Sequence, residues 1–184
     1  VFDRNNTNTN TPAIIYTNII QGDEVHIKVL IKGAGSENKS KLEMFLPTTN
    51  KDDLIEKIGN LILSAKETSC PPMFIGIGIG YSADKAMLLS KKALIEDKFT
   101  DDEIELAEKI RTYTNSKAPE KYGNCYVLDV KVISAPTHIA CLPVAVSINC
   151  HSDRYASCTI KNNEILYNHK TPDFIDFKED TIFP

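Results

Sequence analysis

Val25, Ile27, Val29 and Ile31 stand at every second position, separated by polar His26 and Lys28 and by Leu30. A period of two predicts a strand with one face buried and one face wet. After Asn50 the period lengthens. Leu54, Ile55, Ile58, Leu61, Ile62 and Ala65 fall on one helical face, and Asp52 and Asp53 suit the positive end of a helix dipole. Cys70-Pro71-Pro72 ends regular structure, because proline donates no N–H and restrains the residue before it. Met73 to Gly80 then alternates isoleucine with glycine, which predicts a strand closely approached on its glycine face. Ser82 reads as the N-cap of a helix over 83–95. Thr100 and Glu103 have capping-box spacing for another helix, reaching about Tyr113. Val127 to Ile133 and Leu142 to Cys150 are apolar, β-branched stretches that predict buried strands. Ser157–Ile160 and Ile165–Tyr167 flank Asn162-Asn163, the signature of a hairpin.

These elements sum to an α/β fold: a mixed β-sheet flanked by helices in a single domain, with no internal repeat. The opening, Asn5 to Pro12, is a polar lead-in of low complexity. Thr171 to Pro184 shows neither period and is expected to be a linker or docking arm. Of the 184 residues, 42% are hydrophobic and 25% charged, enough for one core and too apolar for wholesale disorder. The net charge of −4 and the lack of a basic stripe argue against nucleic acid as a partner. No apolar run approaches the roughly 20 residues of a membrane span. Neither a signal peptide nor an Arg-rich transit segment is visible, and the chain opens on Val rather than Met, as expected of a trimmed chain or part of a longer polypeptide.

Three segments carry candidate chemistry. Gly78-Ile79-Gly80-Tyr81-Ser82-Ala83 fits GxGxxA between a strand and a helix. A second helix follows instead of a strand ending in a ribose-binding acid, so the glycines read as close packing rather than as a dinucleotide site. The loop Lys32 to Ser40 crowds glycines, hydroxyls, an amide and lysines together. It reads either as an anion-binding concavity or as a solvated hairpin loop. Cys150-His151-Ser152-Asp153-Arg154 closes a buried strand. Cys150 is a candidate nucleophile with His151 or His138 as base, a metal or cluster ligand, or a core thiol; adjacent strand residues face opposite ways, which disfavours His151 as its partner. Five cysteines, at 70, 125, 141, 150 and 158, form an odd set without zinc spacing. They are expected to be reduced thiols in an intracellular protein, cytoplasmic or mitochondrial, and mostly small buried core residues.

Asn10-Thr11-Pro12-Ala13, Lys32 to Ser40, Cys70-Pro71-Pro72, Gly76-Ile77-Gly78-Ile79-Gly80, and Ala135-Pro136-Thr137-His138-Ile139-Ala140 through Leu142-Pro143-Val144-Ala145-Val146 to Cys150-His151 occur in order. Together they resemble the iron–sulfur, class I fumarate hydratase and L-tartrate dehydratase family over about Asn5 to Ile160. The resemblance is to the later part of the α subunit or N-terminal domain, leaving 161–184 as a hairpin strand with a linker or docking arm. It implies a fragment of a larger catalytic domain, part of a hydro-lyase that adds or removes water on a small dicarboxylate, with fumarate/malate first and tartrate next.

The resemblance further implies a 4Fe–4S cluster with Cys70 and Cys150 as ligands. The third cysteine lies in a Cys-Gln-Asp-Thr-Gly motif that this chain lacks. The carboxylate loop maps to Gly33, Ser36, Glu37, Asn38, Lys39, Ser40 and Lys41. No catalytic acid or base maps to this chain, so alone it is expected to be inactive. The implied partners are a β part or β subunit and, in the intact protein, further copies of itself; nucleic acid and membrane are not among them. Two positions depart from the family pattern: Tyr81 stands where a glycine is usual, and Lys121-Tyr122-Gly123-Asn124-Cys125 replaces a Gly-Gly-Thr-Thr-rich turn. The competing reading is a cluster-free interaction or regulatory domain that keeps the fold.

Overall fold

A computed structural model describes residues 2–3, 5–6, 8–9 and 13–167; the expected arm at 171–184 lies outside them. In chain order the elements are β1 (Val25–Ile31), α1 (Ala34–Glu37), β2 (Lys41–Phe45), α2 (Lys51–Leu63), β3 (Met73–Ile79) and α3 (Ala83–Ala93). There follow α4 (Asp101–Lys117), β4 (Val127–Ser134), β5 (Leu142–Asn149), β6 (Arg154–Lys161) and β7 (Glu164–Tyr167).

A mixed sheet has the strand order β2-β5-β3-β4, with β5 antiparallel to both neighbours and β3 parallel to β4. Parallel neighbours need a crossover, which α3 and α4 supply. The two sides of β3 differ in chemistry. Met73, Ile75 and Ile77 share a core with Ile58 and Ile62 of α2, Ile110 of α4 and Val146 of β5. Each such isoleucine contributes roughly 1.5–3 kcal/mol by leaving water. The other side is glycine, and α3 lies on it. A Cβ at Gly76 would stand 2.0 Å from the Ser90 carbonyl oxygen, and one at Gly78 2.1 Å from that of Ala86. Helix backbone therefore replaces side chains there, as the Ile-Gly alternation predicts. Ser90 and Ser147 hydroxyls pair at 2.8 Å across the same contact.

Asn50 caps α2 by accepting from the Asp53 N–H at 2.9 Å. The Thr100/Glu103 capping box forms with both bonds present. Helix α4 runs a turn beyond the expected Tyr113. Its polar end is buried instead of wet: Thr114 returns a bond to the Ile110 carbonyl, and Asn115 binds both the N–H and the carbonyl of Val127. Sequence periodicity also misses β2. This edge strand leaves Leu42 and Met44 about half exposed, so its apolar positions mark no core face.

A second, antiparallel sheet has the order β1-β6-β7. Asn162 and Asn163 both take positive φ, at 50° and 65°, as a two-residue type I′ hairpin requires. The alternation expected in β1 is present, but its apolar face is not buried; only Leu30, on the opposite face, is partly covered. Val25, Ile27, Val29 and Ile31 share a face with Ile160, and Ile27 and Ile31 are 41% and 67% exposed. The opposite face meets the rest of the fold. Lys28 Nζ binds Glu96 at 2.9 Å, and the Tyr155 hydroxyl donates to Asp97 at 3.3 Å. The polar face docks because charged groups after α3 meet it.

The cysteines require a correction too. All five are free thiols and none is buried: Cys70 and Cys125 are exposed, and the others are intermediate. They sit in turns, at strand ends and on the open sheet face instead of in the core. Among the described residues no helix is long and apolar enough to cross a membrane.

Candidate functional site

Antiparallel pairing sets Phe74, near the start of β3, beside Asn149 at the end of β5. Cys70 precedes the one strand and Cys150 follows the other, so pairing brings two residues 80 positions apart to the same sheet edge. His151 makes the link. Its main-chain N–H lies 3.5 Å from the Cys70 carbonyl oxygen and its Nδ1 3.3 Å from it. The Cys70 carbonyl can only accept, so this contact calls for the tautomer with the proton on Nδ1.

Neither thiol is a buried packing group. Cys70 is exposed and holds φ at +57°, a left-handed backbone that a residue with a Cβ adopts at a cost. The Cys150 Sγ lies 2.8 Å from the Ser152 hydroxyl. That bond, with N–H groups of the same turn, draws the Cys150 thiol below its ordinary value against the opposing effect of burial.

The loop after β1 folds over this edge. Ser36 is buried and donates to the Gly33 carbonyl at 2.8 Å, with Asn149 Oδ1 at 3.4 Å. Asn149 also accepts from the Cys150 N–H at 3.2 Å and donates to the Ile31 carbonyl and to Asp153. Burial pushes the Asp153 carboxyl up. Through Asn149, loop, strand end and Cys150 form one hydrogen-bonded unit.

Within the loop, the N–H groups of Glu37, Asn38, Lys39 and Ser40 all bond to carbonyls of Gly33 to Glu37. Those amides are spent on the turn, and main chain is exposed at Gly33 to Gly35 instead. Asn38 is exposed, while Lys39, Ser40 and Lys41 are half-buried. The Ser40 hydroxyl is buried without a hydrogen-bond partner among the described residues. Glu37 sits between two lysines: Lys32 Nζ is 3.0 Å from its Oε2, and Lys91 of α3 contacts its Oε1. Burial raises the Glu37 carboxyl, but the two lysines more than offset this and hold it below the usual carboxylate range. Burial lowers the Lys32 ammonium. Lys91 carries no motif; sequence spacing gives no reason to single it out.

His138 belongs to the other end. It precedes β5 whereas Cys150 follows it, and eight extended residues span roughly 25 Å. It cannot serve as the base for Cys150. Of the two GxGxxA glycines, Gly78 holds α3 against the sheet as expected, while Gly80, at a φ of +96°, lies against the Ala135 backbone beyond β4.

Among the described residues no three His, Cys, Asp or Glu side chains gather as a metal site. Cys70 and Cys150 fit a cluster as two sulfur donors at one end of the sheet, with the Lys32 charge acting on Cys150, but they are not a complete ligand set.

The fumarate hydratase (Fumerase) family profile matches residues 1–159. A Methanocaldococcus jannaschii protein described as an L(+)-tartrate dehydratase α subunit is 41% identical, over 75% of this chain and 51% of its own length. The L(+)-tartrate dehydratase α subunit of Escherichia coli K12 is 27% identical, over 84% of this chain and 54% of its own. The chain spans about half the length of the curated relatives it matches.

Proposed function

The chain belongs to the fumarate hydratase family of hydro-lyases, and from that premise we propose that its Cys70–Cys150 edge is one wall of a dehydratase active site. The observation that supports this reading most is the convergence of three sequence-distant segments: the Gly33–Lys41 loop, Cys70, and Cys150–His151 meet through Asn149 and the Cys70 carbonyl.

In this reading Cys70 and Cys150 hold a 4Fe–4S cluster together with a third cysteine from outside the chain. When bound, such a cluster supplies a Lewis-acidic iron that helps hydroxide leave a 2-hydroxy diacid. The residues of this chain bind and orient. The exposed main chain of Gly33 to Gly35 offers donors to a substrate carboxylate. Lys39 and Lys41 add positive charge at the same loop. Ser152 stabilises the Cys150 thiolate, and His151 fixes the Cys70 carbonyl so that both sulfurs are presented together. The acid and base that move the proton come from the remainder of the α unit or from a β partner, which the relatives' description as α subunits implies. Fumarate/malate is the first substrate pair and tartrate the second. A cluster of this kind would call for a reducing, intracellular compartment, cytoplasmic or mitochondrial.

The test is anaerobic reconstitution of the chain with iron and sulfide, together with the complementary half of the methanogen α subunit and its β partner. Visible cluster absorption and water addition to fumarate or loss from tartrate are expected, both removed by Cys70→Ser or Cys150→Ser. A folded assembly that stays colourless and iron-free overturns the reading in favour of an interaction domain.

A further inference from the structure

The loop that shapes the candidate site has little to hold it in place by itself. Helix α1 is a single turn of four residues, too short to be stable alone, and Ala34 and Gly35 are exposed. Its side-chain anchors include Ser36 to Asn149 and Glu37 to its two lysines. The lysines are not equivalent. Lys32 lies on the connection from β1 into the loop and moves with it. Lys91 lies on α3, one residue after Ser90, whose carbonyl rests on Gly76. Helix α3 cannot shift without breaking that contact, so Lys91 is the fixed member of the three.

The charges add a second point. Two ammonium groups share one carboxylate, so the group retains one positive charge. The Lys32 Nζ and Glu37 Oε2 atoms are buried and, among the described residues, have no hydrogen-bond partner beyond this ion pair. Buried charge paired in this way is costly to separate. A free Glu37 would repel a dicarboxylate; held between lysines, it does not.

We propose that Lys91 is a positioning residue of this site: acting through Glu37, it locks the Gly33–Ser40 loop over the Cys150 end of β5 and leaves the loop with a net positive charge. The locking stands on the geometry alone, while its consequence for a dicarboxylate rests on the function proposed above.

The experiment has two arms. Amide hydrogen exchange of residues 33–40 is measured on the whole chain for Lys91→Met, Glu37→Gln, the double variant and Lys91→Arg. Each single change is expected to speed loop exchange about tenfold, the double variant no more than either single, and Lys91→Arg to stay within about twofold of the parent. In the reconstituted assembly, Lys91→Met is expected to raise KM for the diacid about tenfold with kcat within about twofold. Additive effects, an unchanged loop in Lys91→Met, or no rescue by arginine overturn the proposal. Exchange needs no cluster, so an inactive assembly with a loosened loop counts against the hydro-lyase reading and not against the role of Lys91.

Discussion

The carbonyl oxygen of Cys70 receives two approaches from one residue, the main-chain N–H and the imidazole Nδ1 of His151. One histidine thus sets the distance between the turn that carries Cys70 and the turn that carries Cys150. A group that orients a ligand without touching the metal typically changes metal affinity by about 10–100-fold. With the cluster proposed above bound, His151→Ala is therefore expected to speed its loss by about tenfold while shifting thermal stability little, since the ring is exposed. Iron retention timed by absorbance, beside a melting curve, checks it; equal cluster lifetimes would refute it.

The φ of +57° at Cys70 gives a separate test. Glycine tolerates this region freely, whereas a residue with a Cβ carries strain of about 1 kcal/mol or more. The thiol is exposed, so burial returns nothing. Cys70→Gly is expected to melt no lower than the parent and above Cys70→Ala. A protein kept stable by this thiol as a packing group would show the opposite order.

At the glycine face of β3 the expectation reverses. A methyl at Gly78 would meet the Ala86 carbonyl oxygen and the Ser90 nitrogen at 2.1 and 2.6 Å. Both are backbone atoms of a helix and cannot rotate away. Gly78→Ala should cost about 1–3 kcal/mol or more, measured by chemical denaturation, with Gly76→Ala similar.

The same contrast marks what could be read from sequence. The Ile-Gly alternation of β3, the capping box of α4 and the Asn-Asn hairpin rest on local rules, and each formed where those rules put it, whereas Ser82 stands at the N-cap of α3 without a side-chain capping bond. Cys70 and Cys150 were legible as motifs. Their meeting depends on β3 lying antiparallel to β5, a long-range pairing that no local period encodes. Lys91 was invisible because it acts across helix and loop. Burial in β1 was misjudged for another reason. Alternation tells which residues share a face, but not which face the rest of the fold covers.

Glu103 links acid stability to the capping box. Its carboxylate accepts from the Thr100 N–H at 2.9 Å and from both the N–H and the hydroxyl of Ser134. Burial alone would raise its pKa, but these bonds favour the charged form and bring it below the ordinary 4.5. A carboxyl with a depressed folded pKa contributes stability that is present above its unfolded value and lost as pH falls through the folded one. Glu103→Gln should cost about 1–2 kcal/mol at neutral pH. It should also flatten the loss of stability below about pH 4.5, so parent and variant converge in acid. Denaturation curves at pH 7 and pH 3 give the answer, and an equal gap at both would refute it.

The open face of the second sheet yields the last expectation. Val25, Ile27, Val29 and Ile31 present a continuous apolar row on an edge strand, next to Ile160 and Ile165 of the same sheet. Contiguous apolar surface of this kind promotes association, and an edge strand adds unpaired backbone groups to it. The isolated chain should therefore self-associate or bind hydrophobic dyes. Ile27→Lys with Val29→Lys should suppress both. Because these side chains are already about half exposed, the double change should alter stability by no more than about 0.5 kcal/mol per site, as for other surface substitutions. A loss of several kcal/mol would mean that the row is buried in the protein in solution, and that this sheet packs its apolar face inward after all.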